Sequence, residues 1–207
     1  MYKLYGVRSW GSMAVEAVLA LCGVPYTAVD VEQDTARRFP PWFIELNPMG
    51  QVPVLMLPDG SVMTESAAMA IYLADAFPDA QLAPGLASPL RPRYLRWMVF
   101  LAANSYMTEG RWDFPSGYTD DPNGAHGVKS AAIRLMAKEW DIFAEALGRG
   151  PFILGAAMSA ADIYAAMIVG WSNSLPGLFA KHPNLKALHD RVTAHPAVAA
   201  VWKRHGL

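Results

Sequence analysis

The chain has 207 residues, of which 53% are hydrophobic and 17% are charged, and 17 Lys and Arg against 18 Asp and Glu give a formal charge of -1. This composition predicts a globular protein of one or two domains with a sizeable core. The absence of a long run of like charge argues against nucleic acid as a partner. No apolar run approaches the ~20 residues of a membrane span, and no leader precedes the first strand, so we expect a cytoplasmic protein without a membrane partner.

The first third of the chain alternates between strand and helix patterns. Strands are predicted over 3–7, 27–31, 54–57 and 62–63, helices over 13–22 and 66–77, and a short helical or looped piece over 39–46. This order describes an α/β domain. The first helix carries Glu16 as its only charge, so something besides its own sheet must pack on it. The one cysteine, Cys22, lies in an apolar segment without a second cysteine to pair with, and we expect it in the core.

Breaker residues interrupt the chain between positions 77 and 93, and they predict an interdomain linker. Helices are predicted beyond it, over 93–107, 129–147, 159–174, 185–194 and 197–204. Ser159 and Asp162 have the spacing of a capping box, which we assign to folding rather than to catalysis. The expected organisation is therefore a domain over 1–78, a linker over 79–92 and an all-helical domain over 93–207. The five scattered histidines do not predict a metal site.

The dipeptide Val52-Pro53 leads directly into the predicted strand 54–57. Proline cannot donate to a sheet ladder, so the backbone of its neighbour is left available. The amide and carbonyl of Val52 could pair with an extended ligand in the manner of one more strand. The sequence leaves the cis or trans state of the Val52-Pro53 bond open.

A second motif, Glu65-Ser66, lies at the start of the helix predicted over 66–77. Ser66 precedes a run of good helix formers and is predicted to be the N-cap, beside amides that favour a carboxylate. Glu65 is placed to hold an ammonium group. In isolation the pair describes an ordinary helix start, but together with Pro53 upstream it favours a small zwitterionic peptide as the ligand.

The order of Gln51-Val52-Pro53, Glu65-Ser66 and the capping box resembles the cytosolic glutathione transferase superfamily, over essentially the whole chain. The resemblance implies a thioredoxin-like α/β N-terminal domain, an all-α C-terminal domain and a homodimer, whose partner would cover the first helix. It also implies glutathione as a co-substrate and no metal. Val52 would then bind the cysteinyl backbone, Pro53 would be a cis-proline, Glu65 and Ser66 would hold the γ-glutamyl end, and Gln51 would lie beside them.

The thiol of glutathione has to be ionised before it attacks, and its pKa in water is about 8.5. A hydroxyl just after the first strand, near a helix N-terminus, is suited to stabilise the thiolate. Ser9 falls where the zeta class and several bacterial relatives keep an active serine or threonine, and Ser12 falls nearer the helix N-cap. Tyr5 could instead match the tyrosine of the alpha, mu and pi classes. The catalytic cysteine of the beta class maps to Gly11, so thiol addition or substitution is favoured over disulfide chemistry.

The resemblance places the second substrate between the loop after the first strand and the helix from residue 93. The side chains expected there are Trp10, Tyr106, Met107, Arg111, Trp112 and Phe114, and each is equally compatible with core packing. The predicted function is conjugation of glutathione to small hydrophobic electrophiles. A glutathione-dependent cis-trans isomerase of the maleylacetoacetate type is an alternative, because Arg8-Ser9 and Gly11-Ser12 resemble the zeta-class active stretch. A non-enzymatic interaction protein of the same fold is the other alternative.

Overall fold

A computed structural model of the chain describes residues 1–172 and 174–207. The described chain divides into two compact units, one made of residues 1–85 together with 193–207 and the other of residues 86–192. The last helix therefore belongs to the N-terminal unit, whereas the expected helical domain included all of 93–207. That helix packs in the first unit because it has an apolar face, on which Val198, Val201 and Trp202 are buried.

The first unit contains a four-stranded mixed sheet in the order β2-β1-β3-β4. Its strands are β1 Tyr2–Gly6, β2 Tyr26–Asp30, β3 Val54–Met56 and β4 Val62–Met63. The β1 strand pairs parallel with β2 and antiparallel with β3, and β3 pairs antiparallel with β4. This is the predicted α/β domain, with strand boundaries within one residue of those expected.

Four helices accompany this sheet: α1 Ser12–Leu21, α2 Pro41–Leu46, α3 Ser66–Ala76 and, from the end of the chain, α10 Pro196–Arg204. The α1 helix is buried from Ser12 through Leu19, and both α3 and α10 pack against it. The second cover that the sequence of α1 demands thus comes from the same chain rather than from a dimer partner. Cys22, expected in the core, is only half-buried at the end of α1, and burial raises the pKa of its thiol to about 11.

The second unit is helical: α4 Arg91–Phe100, α5 Met107–Asp113, α6 Ala125–Leu147, α7 Ala160–Gly170, α8 Leu175–Lys181 and α9 Pro183–Thr193. A π-helical segment, Leu101–Tyr106, joins α4 to α5. The α8 helix was not predicted. The predicted helix 159–174 ends at Gly170, and its position 173 lies outside the described residues. None of the helices described in either unit is long and apolar enough to cross a membrane.

The predicted capping box at the start of α7 is confirmed. Asp162 is fully buried, and its Oδ2 accepts hydrogen bonds from the Ser159 amide at 2.8 Å and the Ser159 hydroxyl at 2.7 Å. Its Oδ1 accepts a third bond from the Ile153 amide at 2.7 Å. The carboxylate therefore connects the helix start to the preceding loop, which is the folding role expected for it.

Candidate functional site

The predicted ligand-binding positions lie at one end of the sheet in the first unit. Both β1 and β4 pair antiparallel with β3. Continuing these two registers past the strand ends brings Gly6 and Glu65 level with Pro53. The loop that follows Gly6 and the start of α3 therefore flank the Pro53 turn on its two sides.

The Val52-Pro53 peptide bond is cis. The Val52 side chain is buried, whereas its backbone N–H and C=O have no hydrogen-bond partner within residues 1–172 and 174–207. The Asn47 amide donates to the carbonyl of Gln51 at 2.7 Å and holds the turn, with the Gln51 side chain exposed. Val52 thus offers both a donor and an acceptor to an extended chain laid beside it.

The α3 helix begins at Ser66 and its N-cap is Glu65, so the expectation of Ser66 as the N-cap was wrong by one residue. Glu65 has a φ of 66°, in a region that residues other than glycine seldom adopt. Such conformations persist where the surroundings fix them, and they cluster at ligand sites. The exposed carboxylate of Glu65 and the N-terminal amides of α3 are adjacent, so this point can hold an ammonium and a carboxylate together.

The loop after β1 is anchored on the same apolar cluster as the Val52 turn. The core of this cluster consists of Val31, Phe43, Val52 and Val54, and the partly buried side chains packed on it are Tyr5, Val7, Trp10, Phe39 and Leu46. Val7 and Trp10 lie on either side of Ser9 in the chain. The segment that carries Ser9 is therefore held next to the turn that presents Val52. Tyr5 packs into the cluster with its ring 5.9 Å from that of Trp42.

Ser12 is the first residue of α1, after Gly11 as the N-cap, and only 2% of it is exposed. Its hydroxyl donates to the carbonyl of Val7 at 3.1 Å. A Cβ added to Gly6 would overlap the Ser12 side chain, because the helix start lies directly on the end of β1. The geometry therefore gives Ser12 a role in seating α1 and directs its one proton into the protein.

Ser9 is half-buried and has a φ of 62°. Its hydroxyl donates to the backbone carbonyl of His205 at 2.7 Å, and its amide donates to the ring Nδ1 of His205 at 2.9 Å. His205 is the C-cap of α10. His205 could not be predicted from the sequence, because its partner lies 196 positions away and no local pattern distinguishes it from the other histidines.

His205 belongs to a polar network that joins α1, α10 and β2. Its Nε2 lies 2.9 Å from Glu16 Oε2, and Arg204 reaches the same oxygen at 3.3 Å. Arg204 and Arg8 each bind Asp30 at 2.8 Å. Burial alone would raise the pKa of Asp30, but hydrogen bonds from Arg8 and Arg204 outweigh it and hold that pKa below its ordinary value. Arg8 is thereby tied to the end of β2, and Ser9 beside it is tied to the end of α10.

Several side chains of the second unit were expected near the electrophile, and they differ in solvent exposure. Met107 and Phe114 are 38% and 40% exposed. Tyr106 packs edge-on against another aromatic ring at 5.3 Å, and Trp112 and Arg111 each take part in a cation–π contact. This part of the second unit therefore combines accessible apolar side chains with fixed aromatic rings.

A mixed four-stranded sheet with an all-helical second unit is the fold expected from the resemblance, and comparison with known proteins agrees. The family model described as "Glutathione S-transferase, N-terminal domain" matches residues 12–76, and "Glutathione S-transferase, C-terminal domain" matches residues 115–205. Together these matches span most of the chain. The chain therefore belongs to the glutathione S-transferase family.

Individual relatives match over nearly their whole length. The chain is 31% identical to the uncharacterized GST-like protein YncG of Escherichia coli K12, over 99% of this chain and 98% of that protein. It is 27% identical to the glutathione S-transferase GstA of Escherichia coli O157:H7, over 99% of each chain. A solved structure of a glutathione transferase homolog from Sulfitobacter, with bound glutathione, superposes with a TM-score of 0.90 at 28% identity and covers 100% of this chain and 99% of that one.

Proposed function

We propose that this chain is a glutathione transferase that ionises the thiol of glutathione for attack on small hydrophobic electrophiles. The observation that carries the proposal is the arrangement at the end of the sheet, where the unpartnered Val52 backbone, the start of α3 and the Ser9 loop adjoin. The cysteinyl part of glutathione would pair with Val52. Its γ-glutamyl end would give its carboxylate to the α3 N-terminus and its ammonium to Glu65. The Sulfitobacter homolog, solved with glutathione, supports this choice of peptide.

The proposed activating group is the Ser9 hydroxyl. Lowering the thiol pKa by two units from about 8.5 requires roughly 2.7 kcal/mol of preferential stabilisation of the anion. The single Ser9 proton is donated to the His205 carbonyl in this structure, so an arriving thiolate competes for it. A hydrogen bond to an anion is about twice as strong as a neutral one. Rotation about the Cβ–Oγ bond would therefore turn the donor toward sulfur, with the N-terminus of α1 adding to the field.

The thiolate would then attack an electrophilic carbon of the second substrate. The new C–S bond forms as a leaving group departs with its electron pair, or as the pair moves onto an activating acceptor. Exposed Met107 and Phe114 are the side chains we assign to an apolar second substrate. The proposal includes a homodimer acting in the cytoplasm, and sedimentation equilibrium of the purified chain tests the dimer.

Calorimetric titration with glutathione tests the proposal, with the ultraviolet absorbance of the thiolate followed against pH on the same samples. Wild type should bind glutathione and lower its thiol pKa. The Ser9→Ala variant should bind within about threefold of wild type, because the peptide contacts remain, yet its thiol pKa should rise by about one unit or more. The Ser12→Ala variant is the matched control, with an unchanged thiol pKa and a stability loss of about 1 kcal/mol from the lost buried hydrogen bond.

The same samples separate the alternatives. Absence of binding at millimolar glutathione would overturn the proposal and favour an interaction protein. A panel of electrophiles that includes a cis-diketo acid distinguishes the isomerase, because isomerisation regenerates glutathione whereas conjugation consumes it. Conjugation that depends on Ser9 supports the transferase.

A further inference from the structure

The Ser9 loop depends on a residue from the far end of the chain. Ser9 has a φ of 62°, and a left-handed residue other than glycine needs its surroundings to hold it. The two hydrogen bonds to His205 act on both sides of the Ser9 Cα, one through the amide at 2.9 Å and one through the side chain at 2.7 Å. They fix the backbone and the side chain of Ser9 relative to the end of α10.

The hydrogen-bond pattern assigns the tautomer of His205. The Ser9 amide is a donor, so the ring Nδ1 facing it has to accept and carries no proton. The ring proton is therefore on Nε2, which donates to Glu16 Oε2 at 2.9 Å. Arg204 lies 3.4 Å from Nε2 because both donors converge on the same carboxylate oxygen. Glu16 thus holds the ring in the form that can accept from Ser9.

Burial makes this arrangement rigid. The side chains of His205 and Glu16 are 1% and 3% exposed. Glu16 lies on α1, the helix that begins three residues after Ser9, and α10 packs against that same helix. A path of direct contacts therefore runs from α1 through Glu16 and His205 back to the Ser9 loop.

We propose that His205 is a positioning residue for thiol activation: its ring Nδ1 accepts from the Ser9 amide and holds the Ser9 backbone so that the hydroxyl can donate to a thiolate in place of the His205 carbonyl. The inference rests on the proposed function, in which Ser9 donates to the thiolate. Residues 196–207 accordingly complete the thiol site, although they are the last part of the chain. Loss of the Nδ1 acceptor should leave the contacts of the glutathione peptide intact while releasing Ser9.

Two substitutions of His205 separate its two ring contacts. In His205→Asn the amide oxygen replaces Nδ1 as an acceptor for the Ser9 amide, and the contact with Glu16 is lost. In His205→Gln the amide nitrogen replaces Nε2 as a donor to Glu16, and the acceptor for Ser9 is lost. Both variants keep the backbone carbonyl that receives the Ser9 hydroxyl. His195→Gln, at the exposed start of the same helix, is the matched control.

The expected result is a difference between the two variants. His205→Gln should lower kcat about tenfold and raise the thiol pKa of bound glutathione by about one unit, the worth of one hydrogen bond. Its KM for glutathione should change by less than about threefold, because the peptide contacts remain. His205→Asn should stay within about threefold of wild type in both parameters, even where its melting temperature falls. His195→Gln should match wild type.

The inference would be overturned if both variants lowered kcat equally and only in proportion to their loss of folded protein. His205 would then contribute to packing alone. Wild-type behaviour of His205→Gln would also overturn it. Nitrogen NMR of the wild-type His205 ring supplies a test that needs no variant, and an Nδ1–H form or an imidazolium across the active pH range would contradict the assigned tautomer.

Failure of the proposed function is distinguishable from failure of this inference. The amide of Ser9 can be followed by NMR without any activity, and it should exchange faster in His205→Gln but not in His205→Asn. Suppose that the amide responds in this way while Ser9→Ala leaves the thiol pKa unchanged. His205 then positions the loop, but the role proposed for Ser9 is wrong. The inference about thiol activation is wrong with it. If Ser9→Ala raises the thiol pKa and the Ser9 amide ignores His205→Gln, only the inference about His205 fails.

Discussion

Both units of the molecule bury glutamate, and one such residue from each unit, Glu16 and Glu109, shows opposite treatment of its carboxyl group. Glu16 on α1 is 2% exposed and Glu109 on α5 is 3% exposed. Glu16 Oε2 receives His205 at 2.9 Å and Arg204 at 3.3 Å. Glu109 Oε1 is buried and has no hydrogen-bond partner in the part of the chain that the structure describes. Equal burial of the same residue type therefore gives one partnered carboxyl and one with an unsatisfied oxygen.

The difference shows two ways of accommodating an acid in a protein interior. Partners compensate a buried charge and fix its position, as for Glu16 with Arg204. Without partners the group takes up a proton more readily, and burial, with smaller contributions from Asp113 and Glu139, raises the pKa of Glu109 to about 7. The partnered carboxyl lies beside the proposed thiol site, where fixed geometry matters, and the unpartnered one lies just beyond the π-helical segment.

Removal of Glu16 should have the largest effect on stability. Glu16→Ala leaves the buried ring of His205 and the inner side of Arg204 without an acceptor, so the free energy of unfolding should fall by about 3 to 5 kcal/mol. Chemical denaturation at pH 7 measures this loss. Glu45→Ala, at an exposed position on α2, is the control and should change stability by about 0.5 kcal/mol or less. A loss below about 1 kcal/mol for Glu16→Ala would remove the distinction between the two glutamates.

Glu109→Gln should change the free energy of unfolding by less than Glu16→Ala does, and it should raise this free energy rather than lower it. The folded-state pKa of about 7 exceeds the unfolded value of about 4.3, so the contribution to stability is complete below the unfolded pKa and is lost as the pH rises through about 7. Glutamine stays neutral, and the variant should therefore be more stable than wild type by about 3 to 4 kcal/mol at pH 8. This advantage should disappear near pH 4. Denaturation curves at the two pH values measure it.

The same substitution at Glu16 is the matched comparison for Glu109→Gln. Glu16→Gln keeps an acceptor for His205 but loses the charge opposite Arg204, so it should destabilise the protein by about 1 to 2 kcal/mol at pH 8. If Glu→Gln stabilises the protein at position 109 and destabilises it at position 16, the contrast between the two equally buried glutamates is confirmed. If both substitutions destabilise the protein, Glu109 has a partner in solution.

Local patterns in the sequence were sufficient for two motifs that depend only on neighbouring residues. Val52-Pro53 was placed at the start of its strand because proline has no amide to donate. The capping box of Ser159 and Asp162 was placed because a helix start follows from three-residue spacing. Both motifs carry their physical cause within a few positions of the chain.

Features that depend on distant packing could not be predicted from the sequence. The N-cap was placed at Ser66 rather than Glu65, because a positive φ at a glutamate is imposed by its surroundings and has no sequence signal. The cover on α1 was assigned to a partner subunit, since α10 lies more than 170 positions further along the chain. The contact between Ser9 and His205 follows only from that packing. Propensity and periodicity contain no information about which late helix returns to the first one.

Tyr26→Phe should have the smallest effect, and it tests which partners hold Glu16. The Tyr26 hydroxyl lies 3.4 Å from Glu16 Oε1, near the outer limit of a hydrogen bond. Burial first, and then Glu16, raises the pKa of Tyr26 to about 12, so the hydroxyl stays protonated at pH 7 and its removal changes no charge. The free energy of unfolding should fall by about 0.5 kcal/mol or less, with Tyr118→Phe on the exposed surface as the control. A loss above about 1.5 kcal/mol would mean that Glu16 is held as firmly from Tyr26 as from His205, and the path from α1 to the Ser9 loop would then have a second anchor on β2.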